Sequence, residues 1–180
     1  ERTLDYRDTA GHRTTLTLTE DARTLFREGL AAEGEQKLPF TELLVPDTQT
    51  DRQAAGIIQG CWQNTLGASI NVMPLAVDEL WQRVYAGDYD MALLPLSDST
   101  AMGLLEDFAS DTDRYCTGWQ SEEYDALLDQ AAAETGEQAV RTLAQAEQLL
   151  LRSGVVLPLY TSMSYYAVSS EVQGAWIDPG

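Results

Sequence analysis

The sequence predicts an α/β domain built on a largely parallel sheet, and three observations carry that expectation. Strand-like and helix-like stretches alternate between residues 40 and 94, the order that βαβ units require. Capping signals open the helical stretches and glycines close them. Tyr89-Asp90-Met91-Ala92-Leu93-Leu94 is a nearly continuous apolar run of strand length, the mark of a buried central strand.

The elements follow in chain order. Residues 1–20 are polar and rich in threonine, and Thr15-Leu16-Thr17-Leu18-Thr19 alternates with period two, as an edge or hinge strand does. Asp21 precedes a helical stretch over residues 22–29, with Leu25 and Phe26 on one face. Residues 33–37 read as a loop, and residues 40–45 as a strand ended by Pro46-Asp47. Thr50-Asp51-Arg52-Gln53 has the form of a capping box and opens a helix to about residue 65, with Gly67 as its stop. Residues 69–73 alternate as a strand. Residues 78–85 form a short helix with Leu80, Trp81 and Val84 inward, stopped by Gly87.

The second half is mostly helical. Ser121 can cap a helix over residues 122–133, with Tyr124, Leu127, Leu128 and Ala131 on one stripe. Thr135-Gly136-Glu137-Gln138 is a second capping box, opening a helix to Arg152 with Val140, Leu143, Ala144 and Leu151 inward and Gly154 after its end. Strands are expected over residues 155–160 and 164–168, which brings the sheet to about five strands. Tyr165 and Tyr166 would then face opposite sides. No internal repeat or low-complexity segment is present.

A chain of 180 residues fits one domain, or one large lobe of a bigger protein. Its hydrophobic fraction of 44% is ordinary for a globular chain. No apolar run reaches the roughly 18 residues that span a bilayer. The chain opens on Glu1-Arg2-Thr3 with no apolar signal-peptide core behind it. Acidic residues number 29 against 11 basic ones, for a net charge of −18. Phosphate backbones and anionic membranes repel such a surface, which argues against nucleic-acid partners. An acidic surface keeps a protein soluble, and its field also favours a cationic ligand.

The usual catalytic groupings are missing. The one histidine, His12, sits in a polar Gly-His-Arg turn, where solvation explains it. No His/Cys spacing suits zinc, and Asp111-Thr112-Asp113 opens like a calcium loop but runs into Tyr115-Cys116 where oxygen ligands and a glycine are needed. No glycine-rich phosphate loop is present. Paired carboxylates for acid/base work arise by chance among so many acids. No cofactor and no metal is implied. Of the two cysteines, Cys61 shares helical spacing with Ala54, Ile57, Ile58 and Trp62 and reads as a small buried hydrophobe. Cys116 lies in a polar loop, and a disulfide between the two is open in an oxidising compartment. Trp62 and Trp81 read as core.

Several segments together carry a family resemblance. Gly87-Asp88-Tyr89-Asp90-Met91-Ala92 has the pattern Gly-x-aromatic-Asp-hydrophobic-Ala. Thr117-Gly118-Trp119-Gln120-Ser121-Glu122-Glu123-Tyr124-Asp125-Ala126-Leu127-Leu128 has the pattern Thr-Gly-aromatic, then Ser, then Glu-aromatic-Asp-x-Leu-Leu. Ala144-Gln145-Ala146-Glu147-Gln148-Leu149-Leu150 and Val156-Leu157-Pro158-Leu159-Tyr160 follow, and Asp21-Ala22-Arg23-Thr24-Leu25-Phe26 precedes them. In this order and spacing they resemble the bacterial extracellular solute-binding proteins of family 5, the peptide- and oligopeptide-binding components of ABC importers.

The resemblance implies a periplasmic-binding-protein type II-like lobe, with a mostly parallel mixed sheet flanked by helices. It covers nearly the whole chain but only part of a family member, which has two lobes around a ligand cleft. Residues 1–20 would be hinge-proximal, and residues 21–180 the distal lobe. The implied partners are a small peptide or similar solute, the membrane permease of an ABC importer, and the missing lobe of the same protein. The implied location is extracellular, anchored through an upstream lipoprotein signal, or periplasmic, and the implied role is binding without catalysis.

Ligands of open α/β sheets sit beyond the carboxyl ends of the strands, which directs attention to Pro95-Leu96-Ser97-Asp98-Ser99-Thr100 after the apolar run. In the family this loop faces the cleft and an aspartate in it holds the ligand's amino group; Asp98 matches that position. A desolvated ammonium needs an opposite charge. Leu96, Ser97 and Ser99 would surround it, and Trp119 either lines the cleft or packs under its own loop. Asp98 or Ser97 equally suits the cap of a helix starting near Met102. The family often continues Asp-aromatic-x-x-Pro, whereas Ser99-Thr100-Ala101-Met102 stands here, which leaves the peptide specificity open. Two other classes share the lobe's features: a ligand-sensing module of a regulator, and a carboxylate-dependent hydrolase.

Overall fold

The computed structural model describes the backbone of residues 2–7 and 13–18 and, in full, residues 21–160. His12, Tyr165, Tyr166 and the strand expected over residues 164–168 lie outside the described side chains. Strand β1 (Arg2–Arg7) pairs antiparallel with β2 (Arg13–Leu18), Arg2 opposite Leu18 and Arg7 opposite Arg13. The alternation of leucine and threonine marks β2. Strand β1 is not among the expected strands, although Leu4-Asp5-Tyr6-Arg7 alternates apolar and charged residues.

Residues 21–160 form an α/β/α arrangement. Helix α1 (Ala22–Ala32) leads to strand β3 (Glu42–Pro46), helix α2 (Gln49–Leu66) and strand β4 (Asn71–Leu75). Helix α3 (Val77–Tyr85), strand β5 (Met91–Ala92) and helices α4 (Ala101–Glu106), α5 (Glu122–Ala133) and α6 (Glu137–Ser153) follow. The sheet order is β4-β3-β5, both neighbours parallel to β3.

Period-two alternation in β3 sends its side chains into two cores. Leu44 joins Leu75, Leu80, Val84, Leu105, Phe108, Tyr124, Leu128 and Leu150 on one face. Leu43 and Val45 join Ala55 and Ile70 on the other, where Ile58 and Trp62 of α2 cover them. Both faces are therefore shielded from water, as a parallel sheet requires.

The strands expected over residues 40–45, 69–73 and 89–94 lie in one parallel sheet, with corrected bounds and roles. Phe40 stands outside β3 and is 77% exposed. The central strand of the described sheet is β3, while residues 89–94 form an edge in which only Met91 and Ala92 enter the ladder. The side chain of Asp90, within that stretch, turns away to accept from the backbone N–H of Glu42 at 2.8 Å. The strand expected over residues 155–160 makes no ladder among the described residues, and Pro158 has no N–H to give one.

Helix ends are corrected in the same way. The cap of α2 is Thr48 rather than Thr50: its hydroxyl accepts from Asp51 N–H at 3.1 Å, and Gly67 closes the helix at φ 70°. Helix α6 starts after Gly136 with no side-chain cap; Thr135 does not serve. Instead Glu134 accepts from Thr142 Oγ1 at 2.6 Å and from Gln138 Nε2 at 3.2 Å. The inner stripe of α6 runs through Thr142, Ala144, Ala146 and Leu150, and Val140 is exposed. Cys61 is exposed, not buried, because α2 turns Ala55, Ile58 and Trp62 to the sheet and leaves Ile57 and Cys61 outside. Both cysteines are free thiols.

Candidate functional site

Because β3, β4 and β5 run parallel, the turns that follow them emerge on one edge of the sheet. Asp47 leaves β3 with its N–H on Leu75 O of β4 at 2.8 Å, and Arg52 of α2 bonds its carboxylate there. Across β3, Leu93 N–H donates to Leu44 O at 2.8 Å, and the chain then leaves the sheet through Leu94 and Pro95 towards Asp98.

The residues around Asp98 form one tight turn. Asp98 Oδ1 accepts from Thr100 N–H at 2.9 Å, and from the hydroxyls of Ser99 and Thr100 at 3.3 Å each. Thr100 Oγ1 in turn accepts from Gly103 N–H at 3.0 Å and is the cap of α4. The cap expected of Asp98 or Ser97 thus belongs to Thr100, and Asp98 holds the capping residue in place. Gly103 lets the carboxylate approach: a β-carbon there would stand 2.5 Å from Asp98 Oδ1 and would force Asp98 to shift. Sequence reasoning missed Thr100 and Gly103; the signal for Thr100 was its place immediately before the apolar Ala101-Met102.

Asp98 is exposed, and Oδ2 accepts no bond among the described residues. The Thr100 N–H holds the carboxyl below its ordinary range; partial desolvation opposes this, and the hydroxyls of Thr100 and Ser99 add to the lowering. Asp98 therefore favours its ionised form, with Oδ1 engaged by its own turn and Oδ2 without a hydrogen bond among the described residues. That arrangement suits a pre-oriented acceptor for a cation. Ser97 and Ser99 are exposed beside it, while Leu96 is half-buried and packs on the larger core.

Trp119 is placed by different contacts. Its ring stands edge-on to Tyr124, with centroids 4.9 Å apart, and packs against the larger core. The turn before it is built on Asp113, whose carboxylate accepts from Thr117 N–H at 2.8 Å, Thr117 Oγ1 at 2.9 Å and Gly118 N–H at 3.0 Å. The Thr-Gly-Trp segment is thus held by a carboxylate six residues before its tryptophan.

Desolvation pushes the Asp113 carboxyl up, but those three bonds outweigh it and its pKa is lowered. A carboxylate with a depressed folded pKa stabilises the fold above its unfolded pKa, and that stability is lost as pH falls through the folded one. Asp113→Asn should therefore be less stable than the parent at neutral pH and lose less stability on acidification. Urea midpoints between pH 7 and pH 3 check this; parallel pH profiles for the two proteins would contradict it.

Among the described residues no grouping of His, Cys, Asp and Glu is arranged to hold a metal ion, and no helix is long and apolar enough to cross a membrane.

Comparison with known proteins agrees with the fold. No family model matches the chain. The dipeptide-binding protein DppE of Bacillus subtilis is 27% identical over 161 residues, which cover 85% of this chain and 29% of DppE. The substrate-binding domain of an oligopeptide ABC transporter from Bacillus anthracis superposes with a TM-score of 0.69 at 21% identity, over 74% of this chain and 27% of that one. A periplasmic oligopeptide-binding protein of Borrelia burgdorferi gives 0.69 at 18% identity, over 83% of this chain and 32% of that one. Listeria monocytogenes OppA bound to peptide gives 0.63 at 20%. The resemblance seen in the motifs is borne out, and the fold is that of the peptide-binding proteins of ABC importers. The chain spans about a third or less of the length of these relatives.

Proposed function

We propose that this chain is the distal lobe of an extracellular substrate-binding protein that delivers short peptides, or similar amine-bearing solutes, to an ABC permease. It binds and catalyses nothing. The observation that carries the reading is the Asp98 turn: an exposed carboxylate beyond the carboxyl edge of a parallel sheet, with Oδ1 engaged by the turn and Oδ2 without a hydrogen bond among the described residues. Oδ2 takes the ligand's ammonium, Ser97 and Ser99 supply neutral hydrogen-bonding groups, and the half-buried Leu96 adds apolar surface beside them. A second lobe of the same protein supplies the opposite wall and excludes water. The protein works outside the cytoplasmic membrane, held by a lipid anchor upstream or free in the periplasm.

One lobe alone leaves a ligand half solvated, so the isolated 180-residue chain should bind short peptides no tighter than about millimolar, near −4 kcal/mol. Calorimetry with a mixed di- to pentapeptide library tests this. Micromolar binding by the isolated chain would place the site elsewhere.

A further inference from the structure

Gly103 is set apart from the other described glycines. Its φ lies outside the positive range, so the backbone does not ask for glycine there. Gly29, Gly56 and Gly60 share that ordinary φ, and a β-carbon on any of them would meet nothing within 4 Å. A β-carbon on Gly103 would instead stand 2.5 Å from Asp98 Oδ1, 2.8 Å from Asp98 Cγ and 3.0 Å from Asp98 Oδ2. The whole carboxylate lies over the bare α-carbon. Glycine is also a weaker helix former than alanine, so helix propensity does not explain its place in α4.

The carboxylate could not clear an added methyl by a small rotation. Turning about Cβ–Cγ moves the two oxygens, but Cγ stays in the way. A methyl at residue 103 therefore swings the side chain about Cα–Cβ, or moves the turn. Either motion takes Oδ1 from the Thr100 N–H, which it meets at 2.9 Å, and re-aims Oδ2. Gly103 N–H donates to Thr100 Oγ1 at 3.0 Å, so the two residues belong to one turn. Thr100 supplies the bond to the carboxylate and Gly103 the room for it.

We propose that Gly103 is a positioning residue for ligand binding: its missing side chain seats the Asp98 carboxylate and so aims Oδ2 at the ligand's ammonium. The inference rests on the reading of Asp98 as the ammonium acceptor. Gly103 acts through Asp98 alone.

Calorimetry of the full-length protein with trialanine and N-acetyl-trialanine tests it. The parent should prefer the free amine by about tenfold or more. Gly103→Ala should bind trialanine about tenfold more weakly, hold its affinity for the acetylated peptide, and keep a preference of about twofold or less. Asp98→Ala/Gly103→Ala should bind no worse than Asp98→Ala, because the methyl then has no carboxylate to displace. Stability gives a reading that needs no ligand. Through helix propensity, Gly103→Ala should raise the melting temperature of Asp98→Ala by roughly a degree or two. In the parent the same change should lower the melting temperature or leave it where it was. A preference that persists in Gly103→Ala would overturn the inference, and so would losses that add in the double variant. Equal changes of melting temperature in the two backgrounds would overturn it as well, since the methyl would then not meet Asp98. A parent that binds both peptides equally, or neither, would overturn the functional reading itself and the inference with it. The parent alone shows that outcome, before any variant is made.

Discussion

Tyr124→Ala should cost roughly 3–5 kcal/mol of folding stability, the loss expected when a large side chain leaves a cavity in a packed core. Tyr124 is fully buried, lies edge-on to Trp119 at 4.9 Å, and donates its hydroxyl to Leu105 O at 2.8 Å. It joins α5 to α4 in the larger core, and burial raises the pKa of its phenol well above the ordinary value. Tyr124→Phe keeps the ring and loses one hydrogen bond. Leu105 O retains the Phe108 N–H at 3.0 Å, so this milder change should cost only about 1 kcal/mol. Urea unfolding of the two variants gives both numbers, and equal costs would mean that the ring is not packed as described.

That helix was legible from the sequence because two independent signals agreed on it. Ser121 caps it, Tyr124, Leu128 and Ala131 are buried at helical spacing, and its bounds match expectation. The stripe on α2 was misread because two candidate faces share Ile58. Ile58 and Trp62 of the expected stripe do face the core, but Ile57 and Cys61 lie outside and Ala55 takes their place; only the position of the sheet chooses between the faces. The run over residues 89–94 was read as central because apolar content reports burial and not pairing. Which strand lies between two others is settled by crossover geometry, and here β3 takes that place.

The turn around Asp98 was half legible. Its place after the third parallel strand follows from topology, which the alternating pattern predicts. The chain of bonds from Asp98 to Thr100 to Gly103 was not, because it depends on a backbone path through Pro95 to Thr100 that no periodicity encodes. The three bonds from Asp113 to Thr117 and Gly118 escaped notice for the same reason. Asp113 is one of two non-glycine residues at positive φ among the described residues, a conformation that side-chain patterns do not announce.

Asp98→Ala should weaken the full-length protein's binding of an amine-bearing peptide on the order of 30-fold or more, since closure of the second lobe would leave a desolvated ammonium unpaired. The same variant also removes the support of the Thr100 cap. Thr100→Ala serves as the control: it removes the cap itself and should cost about 1 kcal/mol of stability while leaving the carboxylate in place. A ligand role for Asp98 predicts a large loss of affinity with Asp98→Ala and a small one with Thr100→Ala. A purely structural role predicts similar losses of melting temperature in both variants and unchanged affinity in both. Because the Asp98 pKa is lowered, its charge persists into mildly acidic solution, and binding should hold between pH 7 and pH 5.

The most direct measurement is a calorimetric titration of the full-length, two-lobed protein with one short peptide in two forms, one with a free amino terminus and one N-acetylated. A lobe that reads the ammonium through Asp98 predicts micromolar affinity for the free form and a loss of at least tenfold on acetylation, with the loss abolished in Asp98→Ala. Equal affinities for the two forms in the parent protein would contradict it.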